Sequence, residues 1–186
     1  LDGAFARFFN NSALQRAGAL LVGALSRVEC FGCKFEANTA DQGAGLFATT
    51  LSDVQLDDVE ASGNVAELGG FAMLDTVRTA SIAGLVAIKN RALEDAAIYT
   101  FRSPVSLRHC QFSNNEADGS GGALYLTLSS TASIESSNFT KNSAGAHGTI
   151  TTVDDTRASF SNAACVDVDV VMDWAALSVE CVADSP

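Results

Sequence analysis

The sequence predicts an all-β fold, a parallel β-solenoid of about six to seven coils with roughly 26 residues in each. Three observations predict it. The phrase Asn-x-Ala recurs at Asn11, Asn38, Asn64, Asn90, Asn115 and Asn142, spaced by 27, 26, 26, 25 and 27 residues, with an alanine two positions on each time. A cluster of small residues follows each phrase, and an apolar run follows the cluster. No sustained apolar stripe of helical period runs through the repeats, and their Gly, Ser, Thr and Asn punctuate helices rather than propagate them.

One unit reads, in order, as strand, Asn turn, Gly-rich bend, strand, polar corner and third strand. The first strand carries a phenylalanine three residues before the Asn at Phe8, Phe35, Phe112 and Phe139, expected to stack inside the solenoid. Each Asn tolerates left-handed backbone at a corner, and its amide can bond the next coil's amide across the strand spacing of about 4.8 Å. The six asparagines are therefore read as a structural ladder. The bend follows at Gly43 and Gly45, Gly69 and Gly70, Ala96 and Ala97, and Gly121 and Gly122. Beyond it lie runs such as Ala123-Leu124-Tyr125-Leu126; the third strand, as in Thr131 to Ser136, holds one large apolar residue, Ile134. The repeats occupy residues 1–162. The phase breaks after Ala163-Ala164, so residues 163–186 are expected to form an irregular C-terminal coil or cap, plugged by Trp174.

The segment Cys110-Gln111-Phe112-Ser113-Asn114-Asn115, followed by Gly121-Gly122-Ala123-Leu124, resembles the repeat of polymorphic outer-membrane-protein-type β-helices. That repeat joins F-x-x-N to G-G-A-[ILV]. Phe139 to Asn142 and Phe35 to Asn38 match its first half, while Gly43 to Leu46 and Gly69 to Ala72 are degraded forms of its second. The resemblance covers about residues 5 to 160. It implies a right-handed parallel β-helix of the pectate-lyase-like class, at a cell surface or outside the cell, and no catalysis, because the shared motif consists of turn and core residues. The third and fourth repeats depart from the pattern: Ala61 and Ala87 replace Phe, and Ala96-Ala97 replaces Gly-Gly.

A net charge of −11 with no basic cluster argues against nucleic acid or anionic membrane as partner. No segment reaches the run of about 18 apolar residues that crosses a bilayer, so no membrane insertion is expected. No signal peptide and no N-terminal cap are evident before the first repeat. The chain is therefore expected to be a mature or trimmed fragment, stacked against more of its parent chain or another subunit.

Of the five cysteines, Cys165 and Cys181 flank the C-terminal segment and are expected to form a disulfide. Cys30-x-x-Cys33 reads as a local disulfide or packed thiols, since no second Cys pair and no nearby histidine (His109 and His147 are far apart) supports zinc or redox chemistry. Cys110 is expected to be a buried thiol among the phenylalanines. Two sequons, Asn10-Asn11-Ser12 and Asn138-Phe139-Thr140, are candidate N-glycosylation sites, with Asn138 pointing outward.

Carbohydrate-active β-helices arrange carboxylates on one exposed face. The candidates here are Asp57-Asp58, Asp154-Asp155 beside Arg157, and Asp167-x-Asp169, none recurring in register across coils. Tyr99, Tyr125 and Trp174 are far apart in sequence, a thin platform for sugars. Among exposed residues no outward repeat is evident, and only Thr149-x-Thr151 hints at a threonine array. The expected function is thus a non-catalytic extracellular structural or adhesive β-helix, part of a larger cell-surface or filament protein, with no catalytic or metal-ligating residues. Its expected partners are other copies, other surface proteins and glycans. No cofactor is expected, Ca²⁺ being the one ion the acidic surface would attract. The alternative is a polysaccharide lyase, hydrolase or lectin-like β-helix.

Overall fold

The computed structural model describes residues 6–146, 148–153, 156–165, 170–172 and 178–181, with side chains described as far as residue 162. Among them there is no helix; the strands pair in parallel with strands about 26 residues away, shortening to 18 to 20 at the last two strands, Val170–Met172 and Ser178–Cys181, giving a β-solenoid of about six turns.

Each middle coil has four sides. Sheet I is the Phe side: Arg7–Phe9, Lys34–Glu36, Glu60–Ser62, Val86–Ile88, Gln111–Ser113, Asn138–Thr140 and the end of Arg157–Cys165. Sheet II, after the Asn, holds Val65–Leu68, Arg91–Asp95, Glu116–Ala117 and Ser143–Ala144. Sheet III carries the apolar runs from Leu20–Val22 to Val170–Met172, and sheet IV runs from Arg27–Phe31 to Ser178–Cys181. The unit thus contains a fourth short strand where the sequence suggested a bend. Two or three extended residues between corners suffice to pair with the coils above and below.

Most corners share one device. A residue in the left-handed region turns the chain and the residue after it points inward; Thr50-Leu51 and Leu128-Ser129 turn as left-handed pairs. At the corner between sheets I and II the left-handed residues are Asn10, Ala37, Gly63, Lys89, Asn114 and Lys141, with φ between 53° and 61°. These are the residues before the ladder asparagines. The expectation that the ladder Asn itself takes this conformation is corrected: its neighbour bears the turn, at roughly 1–2 kcal/mol for a residue with a Cβ. The Asn side chain is left free to aim into the core.

The amides form a continuous column. Asn38 Nδ2 donates to Asn64 Oδ1 (2.9 Å) and to the Phe8 carbonyl (3.0 Å), and its backbone N–H donates to the same Asn64 Oδ1 (3.0 Å). The pattern repeats at Asn64, Asn90 and Asn115, which reach the carbonyls of Phe35, Ala61 and Ala87. Each interior amide thereby donates two bonds and accepts two, so its burial carries no unpaired polar atom.

The core fills the space between the sheets. Phe8 stacks on Phe35 with ring centroids 4.7 Å apart, and Phe112 on Phe139 at 4.8 Å. Ala61 and Ala87 stand between these pairs in unbroken register, so the third and fourth coils keep their pairing despite the lost phenylalanines. Phe71 enters from the next bend, tilted against Phe35 at 5.5 Å. It lies so close over Gly45 that a Cβ there would come within 2.7 Å of the ring, which is why Gly45 has no side chain. A register shift between Ala92 and Asp95 is the local irregularity of the fourth coil.

Candidate binding face

Side chains alternate across a strand, so half of sheet IV faces outward, and parallel in-register pairing turns those residues into rows spaced about 4.8 Å apart. One row reads Arg27, Asp53, Thr79, Pro104, Thr131, Arg157; the next reads Glu29, Gln55, Ser81, Ser106, Ser133, Ser159. Ala80, Val105, Ala132 and Ala158 lie beneath, buried. Across the last four coils this face forms a groove of about 610 Å³, lined by Thr79, Ser81, Pro104, Ser106, Thr131, Ser133, Arg157 and Ser159 over the inward row. Ser159 Oγ makes a long bond to the Ala132 carbonyl (3.5 Å). The hydroxyls of Ser81, Ser106 and Ser133 have no protein partner among the described residues and remain open to a ligand.

The N-terminal end of the same face is charged. Arg78 Nε donates to Asp53 Oδ1 (2.9 Å), its Nη2 contacts Oδ2, and Thr79 Oγ1 donates to Oδ1 (2.8 Å). The Arg78 hydrogen bond, then that of Thr79, hold the Asp53 carboxyl down at about 2, and the pairing raises Arg78 in turn. A carboxylate so strongly acidic is a fixed anion at neutral pH and a poor proton shuttle.

Other carboxylates occur once per coil along another side, though not in strict register. Asp41, Glu67, Glu94 and Asp118 are exposed on successive coils at sheet II, linked through their backbones: Glu67 N–H to the Asp41 carbonyl (2.9 Å) and Gly119 N–H to the Glu94 carbonyl (2.7 Å). Their spacings of 26, 27 and 24 residues (41 to 67, 67 to 94, 94 to 118) straddle the register shift, which hides the column in the sequence. Asp118 is paired through both oxygens with Arg91 (3.0 and 2.9 Å). Among the described residues no three His, Cys, Asp or Glu side chains are placed to hold a metal.

The two tyrosines also meet. Tyr99 and Tyr125 stack on adjacent coils, centroids 5.3 Å apart and 17° from coplanar, on the outer side of sheet III. Stacked on each other, they present edges rather than a flat platform for a sugar. Partial burial, then Tyr125 and the carboxylates of Asp95, Glu94 and Asp75, push Tyr99 up to about 12.

Of the other sequence candidates, Cys30 and Cys33 lie at disulfide distance, Cα atoms 5.9 Å apart, across the corner at Gly32. Cys110 is a buried thiol, raised by that burial, with Sγ 3.3 Å from the Arg108 carbonyl. Asp57 ends its strand and accepts a bond from Gln55 (3.0 Å); Asp58 is the exposed left-handed corner residue. Asn10 and Asn138 are both exposed, and His109 sits exposed at a corner. The Cys165–Cys181 disulfide rests on side chains outside the described residues, although the backbone sets Cys165 beside Phe139 and Cys181 beside Ala163. His147, Asp154, Asp155, Asp167, Asp169 and Trp174 also lie outside them.

Fold and face together define a parallel β-solenoid with an in-register hydroxyl face. Comparison with protein-family models, curated proteins and solved structures finds no match for this chain.

Proposed function

We propose that this chain is a non-catalytic recognition scaffold, a β-helix segment of an extracellular surface or filament assembly, contacting its partners through the outer face of sheet IV. The observation that carries the reading is the row Ser81, Ser106, Ser133, Ser159, whose hydroxyls recur in register on successive coils. A periodic surface suits a periodic or extended partner, because each added coil repeats the same contact. The F-x-x-N and G-G-A-[ILV] phrases support kinship with polymorphic outer-membrane-protein-type, pectate-lyase-like β-helices, and with it an extracellular setting.

Cross-linking mass spectrometry on the protein in its native material tests this. Links from sheet IV residues to other copies or other surface proteins support the scaffold. A chain with no protein neighbours on that face sinks it.

The groove itself favours a second reading, a lectin-like site. Open hydroxyls with Arg157 at one end offer an extended, hydroxyl-rich or anionic glycan both donors and charge. Retention on immobilised polysaccharide, lost in Ser106→Ala/Ser133→Ala, would move that reading ahead.

A further inference from the structure

The same motif that builds the ladder also decides which asparagines can be modified. N-glycosylation needs Asn-x-Ser/Thr, a hydroxyl residue at the second position on. Every ladder Asn has alanine there instead: Ala13, Ala40, Ala66, Ala92, Ala117 and Ala144. Asn38-Thr39-Ala40 and Asn142-Ser143-Ala144 miss the sequon by that one residue.

The exclusion coincides with the hydrogen bonding. Of the ten asparagines, six are committed to the ladder, and Asn162 Nδ2 bonds Ser136 Oγ (3.3 Å). The side-chain amides of Asn10, Asn114 and Asn138 make no hydrogen bond among the described residues, and all three are exposed. Two of these three, Asn10 and Asn138, are the chain's sequons; Asn114-Asn115-Glu116 is not one. Asn138 opens the strand Asn138–Thr140 on the outer side of sheet I, beside exposed Gln111, while Phe139 is fully buried. A glycan on its Nδ2 would extend into solvent and disturb neither the pairing nor the core.

We propose that Asn138 and Asn10 are the N-glycan acceptors of this chain, both marking the sheet I side and leaving sheet IV clear for partners. This rests on the extracellular reading above. In the transfer, Nδ2 forms a bond to the anomeric carbon of a lipid-pyrophosphate-linked oligosaccharide. The bond from that carbon to the pyrophosphate oxygen breaks, the lipid pyrophosphate leaves with the electron pair, and the amide loses one proton to the transferase.

The test is to secrete the chain from a glycosylating eukaryotic cell and map glycans after amidase release, which leaves aspartate at each occupied site. The expected result is occupancy at Asn138 and Asn10, one glycan fewer in Asn138→Gln, and unchanged thermal stability in that variant. Ala144→Thr, which completes a sequon on ladder Asn142, should yield either a misfolded, retained chain or loss of the Asn142 bonds. A secreted, folded chain bare at Asn138 overturns the proposal wherever the native protein resides, because the route has been supplied. Surface labelling of the native protein judges the extracellular reading separately, so the two failures are distinguishable.

Discussion

Two polar columns run along this solenoid, the asparagines at the corner of sheets I and II and the serines on the outside of sheet IV. Both recur once per coil and both are in register. The difference lies in what their polar atoms touch. Interior amides are buried and saturated, each bonded to the coil before and the coil after. The Ser81, Ser106 and Ser133 hydroxyls face solvent. Inside, periodic polarity holds the fold; outside, the same periodicity is available for recognition.

The largest effect should come from the interior column. Asn90→Leu would strand the Asn64 N–H and Nδ2 donors and the Ala61 carbonyl in the core. At about 1–3 kcal/mol for each orphaned group, the loss approaches the whole stability of a domain. Chemical denaturation should find the variant unfolded or nearly so; a fold as stable as the parent would disprove the ladder's role. Phe112→Ala comes next, expected to cost about 3–5 kcal/mol through the cavity left beside Phe139. Ala61 stands in the same row beside Phe35, against which Phe71 packs from the bend.

A smaller effect concerns the charged end of sheet IV. The Asp53 carboxyl is depressed from 3.8 to about 2 in the folded chain. Its contribution to stability is therefore present above 3.8 and lost as pH falls toward 2. Asp53→Asn should remove that part of the acid sensitivity, measured by melting across this window, and high salt should blunt it in the parent because the pair is exposed. Tyr99 behaves in the opposite sense: with its phenol raised from 10.0 to about 12, its contribution to stability falls as pH rises through that interval, and Tyr99→Phe should lose that part of the alkaline sensitivity. The smallest change is expected at the outer serines. Ser106→Ala and Ser133→Ala should shift stability by no more than about 0.5 kcal/mol, since exposed hydroxyls without protein partners support nothing in the fold.

This contrast also explains what was legible in the sequence. The Asn-x-Ala spacing is nearly constant and marks residues whose amides are hydrogen-bonded in the structure, because one position per coil must be Asn, with alanine two residues on in every coil. The outer serine row has no such anchor. Ser81, Ser106, Ser133 and Ser159 lie 17, 16, 18 and 17 residues after their ladder asparagines (64 to 81, 90 to 106, 115 to 133, 142 to 159), since the intervening corner varies in length. Leu128 and Ser129 are both left-handed there, whereas Arg102 turns the preceding coil alone. Periodicity counted from the asparagines therefore smears the outer row, and only strand pairing restores it. The acidic column at sheet II is hidden by the register shift for the same reason. The tyrosines, far apart in sequence, stack because a separation of one coil is spatial adjacency in a solenoid.

The most direct test of the division between inner and outer columns is the double variant Ser106→Arg/Ser133→Arg, compared with the parent for thermal stability and for incorporation into its native assembly. The account predicts a melting temperature close to the parent's and a loss of incorporation, because bulk and charge would be added only to the recognition face. A variant that melts like the parent and still assembles would contradict it, and would move the contact to another side of the solenoid.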